Sequence, residues 1–302
     1  MKPKVLVILG PTASGKSDLA VELALKLNGE VISADSRQVY KGLDIGTGKI
    51  TAAEMKSVRH WCLDIADPKE RFTAMDWKKA AETAVADIVS RGKLPIICGG
   101  TGFYISALID DLGFPDVKAD TEEQKALESK TAEELFEELK KLDPNRAATI
   151  DLKNKRRMAR AILIARELGA VPPIAQPAEP KYDAIIIGVA IPDHVLRDRI
   201  RDRLTKRLDA GMIKEVEQLH ENGLSYERMD ELGLEYRYLA QYLEGKIARE
   251  PMIELLLTRI WQYARRQKTW FKRDARIRWF EQPVNLAEIS ALTADLLHYT
   301  RI

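Results

Sequence analysis

The chain has 302 residues, long for one domain and short for three, so one large α/β domain or a core with a smaller appendage is expected. Apolar residues make up 45% and charged residues 31%, which supports a packed core and excludes global disorder. With 48 Lys+Arg against 46 Asp+Glu the formal charge is +2, so a polycation that coats nucleic acid is excluded while local basic patches are not.

The N-terminus enters an apolar run, Lys4 to Leu9, without a cleavable signal pattern. Ser17 to Leu27 follows with Leu19, Leu23 and Leu27 at helical spacing, and Glu30 to Ser33 is a second strand. Asp76 to Ser90 is a helix with Ala80, Ala84 and Ile88 inward, and Leu94 to Cys98 is a third strand stopped by Gly99-Gly100. Continuous apolar strands separated by helices imply a parallel sheet covered on both faces. Between Lys118 and Asp143 acidic residues outnumber basic ones and no strand-like run occurs, so short solvated helices are expected. Leu152 to Arg166 carries six basic residues and no acidic one, and a linker with Pro172, Pro173, Pro177 and Pro180 follows. Tyr182 to Ile191 returns as a buried strand, which marks the excursion as an insertion into the sheet domain. The remainder reads as helices over Asp193 to Asn222 and Glu250 to Lys272, with a late strand at Ile277 to Phe280.

Cys62 and Cys98 have no metal-ligand spacing, so neither a disulfide scaffold nor a zinc module is expected. No apolar run approaches the ~18 residues needed to span a bilayer. A soluble, cytoplasmic protein with no membrane partner is the expectation.

Gly10, Pro11, Thr12, Ala13, Ser14, Gly15, Lys16 and Ser17 match the phosphate-binding P-loop without a gap. A strand enters this loop and a helix leaves it, as the chemistry requires. Glycines let backbone N–H groups curl round a phosphate, the helix N-terminus adds partial positive charge, and Lys16 adds a full one. Ser17 is placed to ligate Mg²⁺. P-loop phosphotransferases use a carboxylate at the end of a later strand, but Cys98-Gly-Gly-Thr101 offers none. Asp35, in Ile32-Ser-Ala-Asp35-Ser-Arg-Gln38, is the nearest carboxylate at a strand end. Carboxyl ends of parallel strands share one ligand edge, so Asp35 and Thr101 should face the P-loop across one cleft. Taken singly, Asp35 also suits a turn cap and Thr101 a turn hydroxyl.

GPTASGKS, ADSRQVY followed by GLDIGTGK, GGTGFY and RRQKTWF, in this order, resemble the boxes of the tRNA dimethylallyltransferases, or tRNA isopentenyltransferases, over nearly the whole chain. That resemblance implies transfer of a five-carbon allyl group from dimethylallyl diphosphate to the N6 amine of an adenosine beside the anticodon of tRNA, position 37. The P-loop residues 10–17 would hold the leaving diphosphate rather than ATP, with Arg203 as a further contact and Mg²⁺ as cofactor. Asp35 and Thr101 would be catalytic, and Ser36, Arg37 and Gln38 would touch the tRNA with them. Arg156, Arg157 and Arg160 resemble the family's short basic helix, which contacts the anticodon stem-loop; Arg156 stands where glutamine is usual. A P-loop small-molecule kinase, or an adenylate isopentenyltransferase acting on a free nucleotide, shares part of the pattern. The insertion and the basic helix favour tRNA, since a mononucleotide needs neither.

Arg259 to Arg278 interleaves basic residues with Trp261, Tyr263, Trp270 and Phe271. The arginines are read as RNA-facing and most of the aromatics as core. Arg199, Arg203 and Arg207 recur every four residues, a pattern usually found on a solvated helix stripe. The fold class is α/β, a P-loop NTPase-like parallel sheet flanked by helices, with a small helical insertion and a helical C-terminal part. Its divisions are 1–114 and 181–302 for the core and C-terminal region and 115–180 for the insertion. A monomer is expected.

Overall fold

Strand β1, Lys4–Leu9, is buried at every position but its first, and its alternation feeds two cores at once. Val5, Val7 and Leu9 point into one apolar cluster, and Leu6 and Ile8 into another on the opposite face. In this computed structural model, residues 2–115, 117, 121–174, 177 and 179–293 are described. Lys118, where the sequence places the start of the acidic stretch, lies outside the described residues.

After β1 come α1 (Lys16–Lys26), β2 (Gly29–Ala34), α2 (Ala52–Met55), β3 (His60–Trp61), α3 (Ala74–Ser90), β4 (Leu94–Gly99) and α4 (Gly102–Ile109). Next are α5 (Thr121–Ser129), α6 (Ala132–Leu142), α7 (Pro144–Thr149), α8 (Lys155–Leu168) and β5 (Asp183–Ala190). The chain then forms α9 (Asp193–Asp209), α10 (Met212–Glu221), α11 (Tyr226–Leu232), α12 (Leu234–Leu243), α13 (Arg249–Phe271), β6 (Arg278–Glu281) and α14 (Leu286–Leu292). The strands make one sheet of order β3-β2-β4-β1-β5-β6, parallel throughout. Helix α1 covers one face with Leu19, Leu23 and Ala24, while α3, α4 and α13 cover the other. The expected parallel α/β sheet is therefore the one found.

Several local expectations change. Trp77 and Ala81 are the inward residues of the first turns of α3, and Ala80 is only half-buried. The single helix read over 193–222 is two, because the chain turns at Gly211, whose φ of 96° suits glycine. Strand β3 is too short to leave an alternation in the sequence. Both cysteines are buried free thiols. Among the described residues no helix is long and apolar enough to cross a membrane.

The chain divides into two compact units, Met1–Asp111 with Glu179–Ile302, and Leu112–Ala178. The smaller unit has its own core of Leu135, Leu139, Met158 and Ile162, from α6 and α8. Its helices are individually capped: Thr131 and Glu134 form a capping box on α6, and Asn154 accepts from the Arg157 N–H at the start of α8. Asp143 accepts from the N–H groups of Arg146 and Val171, which pins the start of α7.

Within the sheet unit, β3 pairs only with Val31 and Ile32 of β2. Where β3 stops, the indole of Trp77 takes over, its Nε1 donating 2.9 Å to the Ser33 carbonyl. The same ring stacks on Tyr104, centroids 4.7 Å apart. Trp77 thus anchors the last residues of β2 before Asp35. Trp77→Phe should lower stability by about 1–3 kcal/mol through the stranded carbonyl. Trp77→Ala should cost about 3–5 kcal/mol. Urea unfolding midpoints would check both, and equal midpoints for Phe and wild type would show that the hydrogen bond contributes nothing.

Candidate active site

Residues 10–17 connect β1 to α1 as a curled loop in which Ala13 takes a positive φ of 61° and Gly15 one of 86°. The N-cap of α1 has no side-chain hydrogen bond, so the amides of its first turn are left for an outside acceptor. Lys16 folds over the loop, its Nζ donating 3.2 Å to the Pro11 carbonyl. Burial pulls the Lys16 ammonium below the ordinary lysine range, with Arg203 adding to the effect and Cys98 and Asp35 opposing it.

The loop is braced from distant parts of the chain. Gln267 of α13, buried, accepts from the Thr12 N–H at 2.8 Å and donates to the Gly100 carbonyl at 2.9 Å. Its one amide therefore ties the P-loop to the turn after β4. Gln282 donates to the Ser14 carbonyl at 3.1 Å, and Arg199 reaches the same oxygen at 3.4 Å. Arg203 donates to the Thr12 hydroxyl at 3.3 Å and to the Gly48 carbonyl at 3.0 Å.

Asp35 follows β2, and its Oδ1 accepts from the N–H groups of Arg37 at 2.9 Å and Gln38 at 3.3 Å. One oxygen thus caps the 35–38 turn, while Oδ2 accepts no hydrogen bond among the described residues. The Thr101 hydroxyl accepts from the Ser36 N–H at 3.1 Å, and the Thr101 N–H donates to the Ala34 carbonyl at 3.1 Å, so the turns after β2 and β4 are joined. Although Thr101 begins α4, its side chain does not cap that helix. The phenol of Tyr263, on α13, is pushed well above the usual value by burial and then by the Asp35 charge.

A cavity of about 90 Å³ opens among these groups, lined by Lys16, Ser17, Asp35, Arg203, Tyr263 and Gln267. Arg37 and Gln38 also line it, and Ser36 and Thr101, joined by their hydrogen bond, are not among the lining residues. The cavity thus brings together Thr12, Lys16 and Ser17 of the P-loop with Asp35 and Arg203, while Thr101 reaches the same edge of the sheet through its bonds to Ala34 and Ser36. The sequence reading missed Arg207, Glu235, Tyr263 and Gln267. The arginine stripe is solvated only in part: Arg199 is exposed, whereas Arg203 and Arg207 line the cavity. Burial, and then Arg207, pushes the Arg203 guanidinium down to about 10. Arg207 donates to the carbonyls of Gly46 and Thr47 and pairs with Glu235 at 3.1 Å. Burial pushes the Glu235 carboxyl up, against the opposing pull of Arg207.

Arg156, Arg157 and Arg160 lie on α8 in the smaller unit. Arg156 and Arg157 are exposed, and Arg156 approaches Glu128 at 3.4 Å. Arg160 is turned inward and donates 2.6 Å to the Val117 carbonyl. On α13, Phe271 is buried, Trp261 and Tyr263 are half-buried, and Trp270 is exposed.

Whether the site suits Mg²⁺ follows from its donors. Among the described residues no group of three His, Cys, Asp or Glu side chains could hold a metal ion. The Ser17 hydroxyl and the Asp35 carboxylate nevertheless line one cavity beside the phosphate loop. A small hard cation that keeps several waters and binds through one or two protein oxygens plus substrate phosphate fits such a donor set.

The model of the IPP transferase family matches residues 38–274. The chain is 44% identical over 285 residues to tRNA dimethylallyltransferase 1 of Geotalea uraniireducens, with 93% of each chain covered. Among solved structures, the full-length tRNA isopentenylpyrophosphate transferase of Bacillus halodurans superposes with a TM-score of 0.74 at 37% identity, covering 99% of this chain and 98% of that one. A eukaryotic dimethylallyltransferase described as acting on tRNA gives a TM-score of 0.77 at 27% identity, with 97% and 77% covered.

The brace at Gln267 is open to direct test. Gln267→Leu strands the Thr12 N–H and the Gly100 carbonyl, each buried polar group costing about 1–3 kcal/mol. Gln267→Glu keeps an acceptor for Thr12 but, when ionised, no donor for Gly100. Urea unfolding should rank wild type above the Glu variant and the Glu variant above Leu, with the gap between Glu and wild type narrowing at acidic pH.

Proposed function

This chain belongs to the IPP transferase family, and on that premise we propose that it transfers a dimethylallyl group from dimethylallyl diphosphate to N6 of adenosine 37, beside the anticodon of tRNA, releasing diphosphate. The observation that carries this reading is Asp35. One of its oxygens is fixed by the turn it caps, and its side chain lines the same cavity as Lys16 and Ser17 of the phosphate loop. A base beside a diphosphate cradle suits displacement at an allylic carbon by a weak nucleophile. P-loop phosphoryl transfer would instead use a carboxylate at the end of a later strand to hold the metal, and β4 ends in Gly99-Gly100 with none.

An exocyclic adenine amine is a poor nucleophile because its lone pair is delocalised into the ring. As N6 attacks the allylic carbon, the bond from that carbon to the bridging diphosphate oxygen breaks and an N6 proton passes to Asp35. The departing diphosphate gathers negative charge, which Lys16, Arg203 and the amides of the loop are placed to stabilise. Mg²⁺, bound by the Ser17 hydroxyl and diphosphate oxygens, would supply further positive charge there. Thr101, held by the Ser36 amide and the Ala34 carbonyl, would orient the acceptor amine.

The tRNA would be held by basic residues whose heads reach solvent, with Ser36, Arg37 and Gln38 meeting the acceptor nucleotide. On α8 these are Arg156 and Arg157, since Arg160 is engaged by the Val117 carbonyl. The enzyme would act as a cytoplasmic monomer.

Asp35→Asn preserves shape and most hydrogen bonding but removes the proton acceptor. Turnover should fall roughly 10²- to 10⁴-fold with both substrates still binding, and the acid-side decline of the pH–rate profile should disappear. A variant with near-normal turnover and the same acid-side decline would reduce Asp35 to a cap. Replacing Arg156 and Arg157 together with alanine should raise the KM for tRNA and flatten its log–log salt dependence by about one unit for each phosphate contact. Arg160→Ala should leave that slope near wild type, because its head is turned inward onto the Val117 carbonyl.

A further inference from the structure

Two large aromatic rings stand at the surface beside the cavity, and the chemistry above uses neither. Trp270 is 41% exposed and Phe103 39% exposed, and they meet edge to face with centroids 6.5 Å apart. Phe103 comes two residues after Thr101. Trp270 lies one turn beyond Gln267 on the face of α13 that carries Tyr263 and Gln267, which both line the cavity. The backbone is shaped for this placement: a Cβ on Gly102 would overlap the indole of Trp270, so the ring can lie on the chain there only because residue 102 is glycine.

A second cavity, about 350 Å³, opens beside the indole, with Ile105, Ile109, Phe271 and Ile277 as its apolar lining and Arg273 at its edge. Arg265, Arg266, Lys272 and Arg273 are all exposed, and none has an ion pair among the described residues. Arg276, by contrast, is held by Asp110 and Asp274. Exposed aromatics rimmed by uncommitted cations complement an unpaired stretch of nucleic acid, whose bases stack and whose phosphates need counter-charge.

We propose that the Trp270 indole, braced edge-on by Phe103, is a stacking platform for one unpaired nucleobase of the RNA substrate, the neighbour of the adenosine being modified, with Lys272 and Arg273 meeting the adjacent phosphates. This rests on the tRNA reading above. Stacking on the platform withdraws the neighbouring base from the loop stack, which leaves the target adenosine free to enter the cavity with Asp35.

The test compares Trp270→Leu, Trp270→Phe, Phe103→Ala and a Lys272→Ala/Arg273→Ala double variant with wild type. Each is assayed with intact tRNA for KM, kcat and the salt dependence of binding, with urea midpoints and dimethylallyl diphosphate binding as controls for folding. Trp270→Leu and Phe103→Ala should raise the KM for tRNA roughly 5- to 100-fold at an unchanged salt slope, since a stack is lost and no phosphate contact is. Trp270→Phe should restore most of the affinity, because a ring stacks where leucine cannot. The double cation variant should flatten the slope by about two units. A stem-loop RNA with 2-aminopurine next to the target should be quenched on binding wild type and not on binding Trp270→Leu. Wild-type KM and quenching in the Leu variant would overturn the platform, and so would a Phe variant no better than Leu. A wild-type protein that transfers nothing to tRNA would instead overturn the reading on which the platform rests.

Discussion

A loop that offers its amides to an anion cannot use those amides to hold itself together. This constraint governs the centre of the molecule. The 10–17 loop commits two amides, Thr12 to Gln267 and Ser14 to the Pro11 carbonyl, and is otherwise fixed through its carbonyls and a hydroxyl by Gln282, Arg199 and Arg203. Lys16 caps the Pro11 carbonyl from inside the loop. A neutral amide such as Gln267 suits the task because it donates and accepts at once without adding charge next to the anion. The same side chain carries the constraint to the turn after β4, so the cradle and Thr101 move as one piece.

The electrostatics follow from the same need. Lys16, Arg203 and Arg207 share a cavity with only two carboxylates, Asp35 and Glu235, on its walls. Burying cations together lowers their hold on protons, as the directions at Lys16 and Arg203 record. On the proposed reading, an incoming diphosphate would offset that buried positive charge. Glu235 takes a different part. Paired with Arg207, it keeps that guanidinium on the carbonyls of Gly46 and Thr47, and the loop that follows Tyr40 stays against the cavity.

What the sequence made legible was whatever depends on order along the chain. A loop between an apolar run and a helix, and a carboxylate at the next strand end, locate Lys16 and Asp35 because parallel strands share a ligand edge. What it hid depends on which way a helix is turned. The spacing of Arg199, Arg203 and Arg207 is the same for a solvated stripe and for one facing a cavity, and nothing local separates them. Arg160 shows the same limit, since its spacing from Arg156 and Arg157 does not reveal the Val117 carbonyl beside it. Gln267 was visible only as a letter inside a basic run. A lone uncharged amide among exposed cations is the signal that could have marked it as inward.

The separation of the brace from the loop also sets an order of events during synthesis. Thr12 and its partner Gln267 are 255 residues apart in sequence, and Ser14 and Gln282 are 268 apart. At about 5–20 residues per second, the strand and loop that form the cradle emerge roughly 10–50 s before the side chains that fix them. A nascent chain therefore carries the phosphate motif long before it carries a finished site. Unfinished copies on the ribosome should neither sequester the prenyl donor nor compete for transfer RNA, and the protein becomes active only as its last turns of helix and final strand are released.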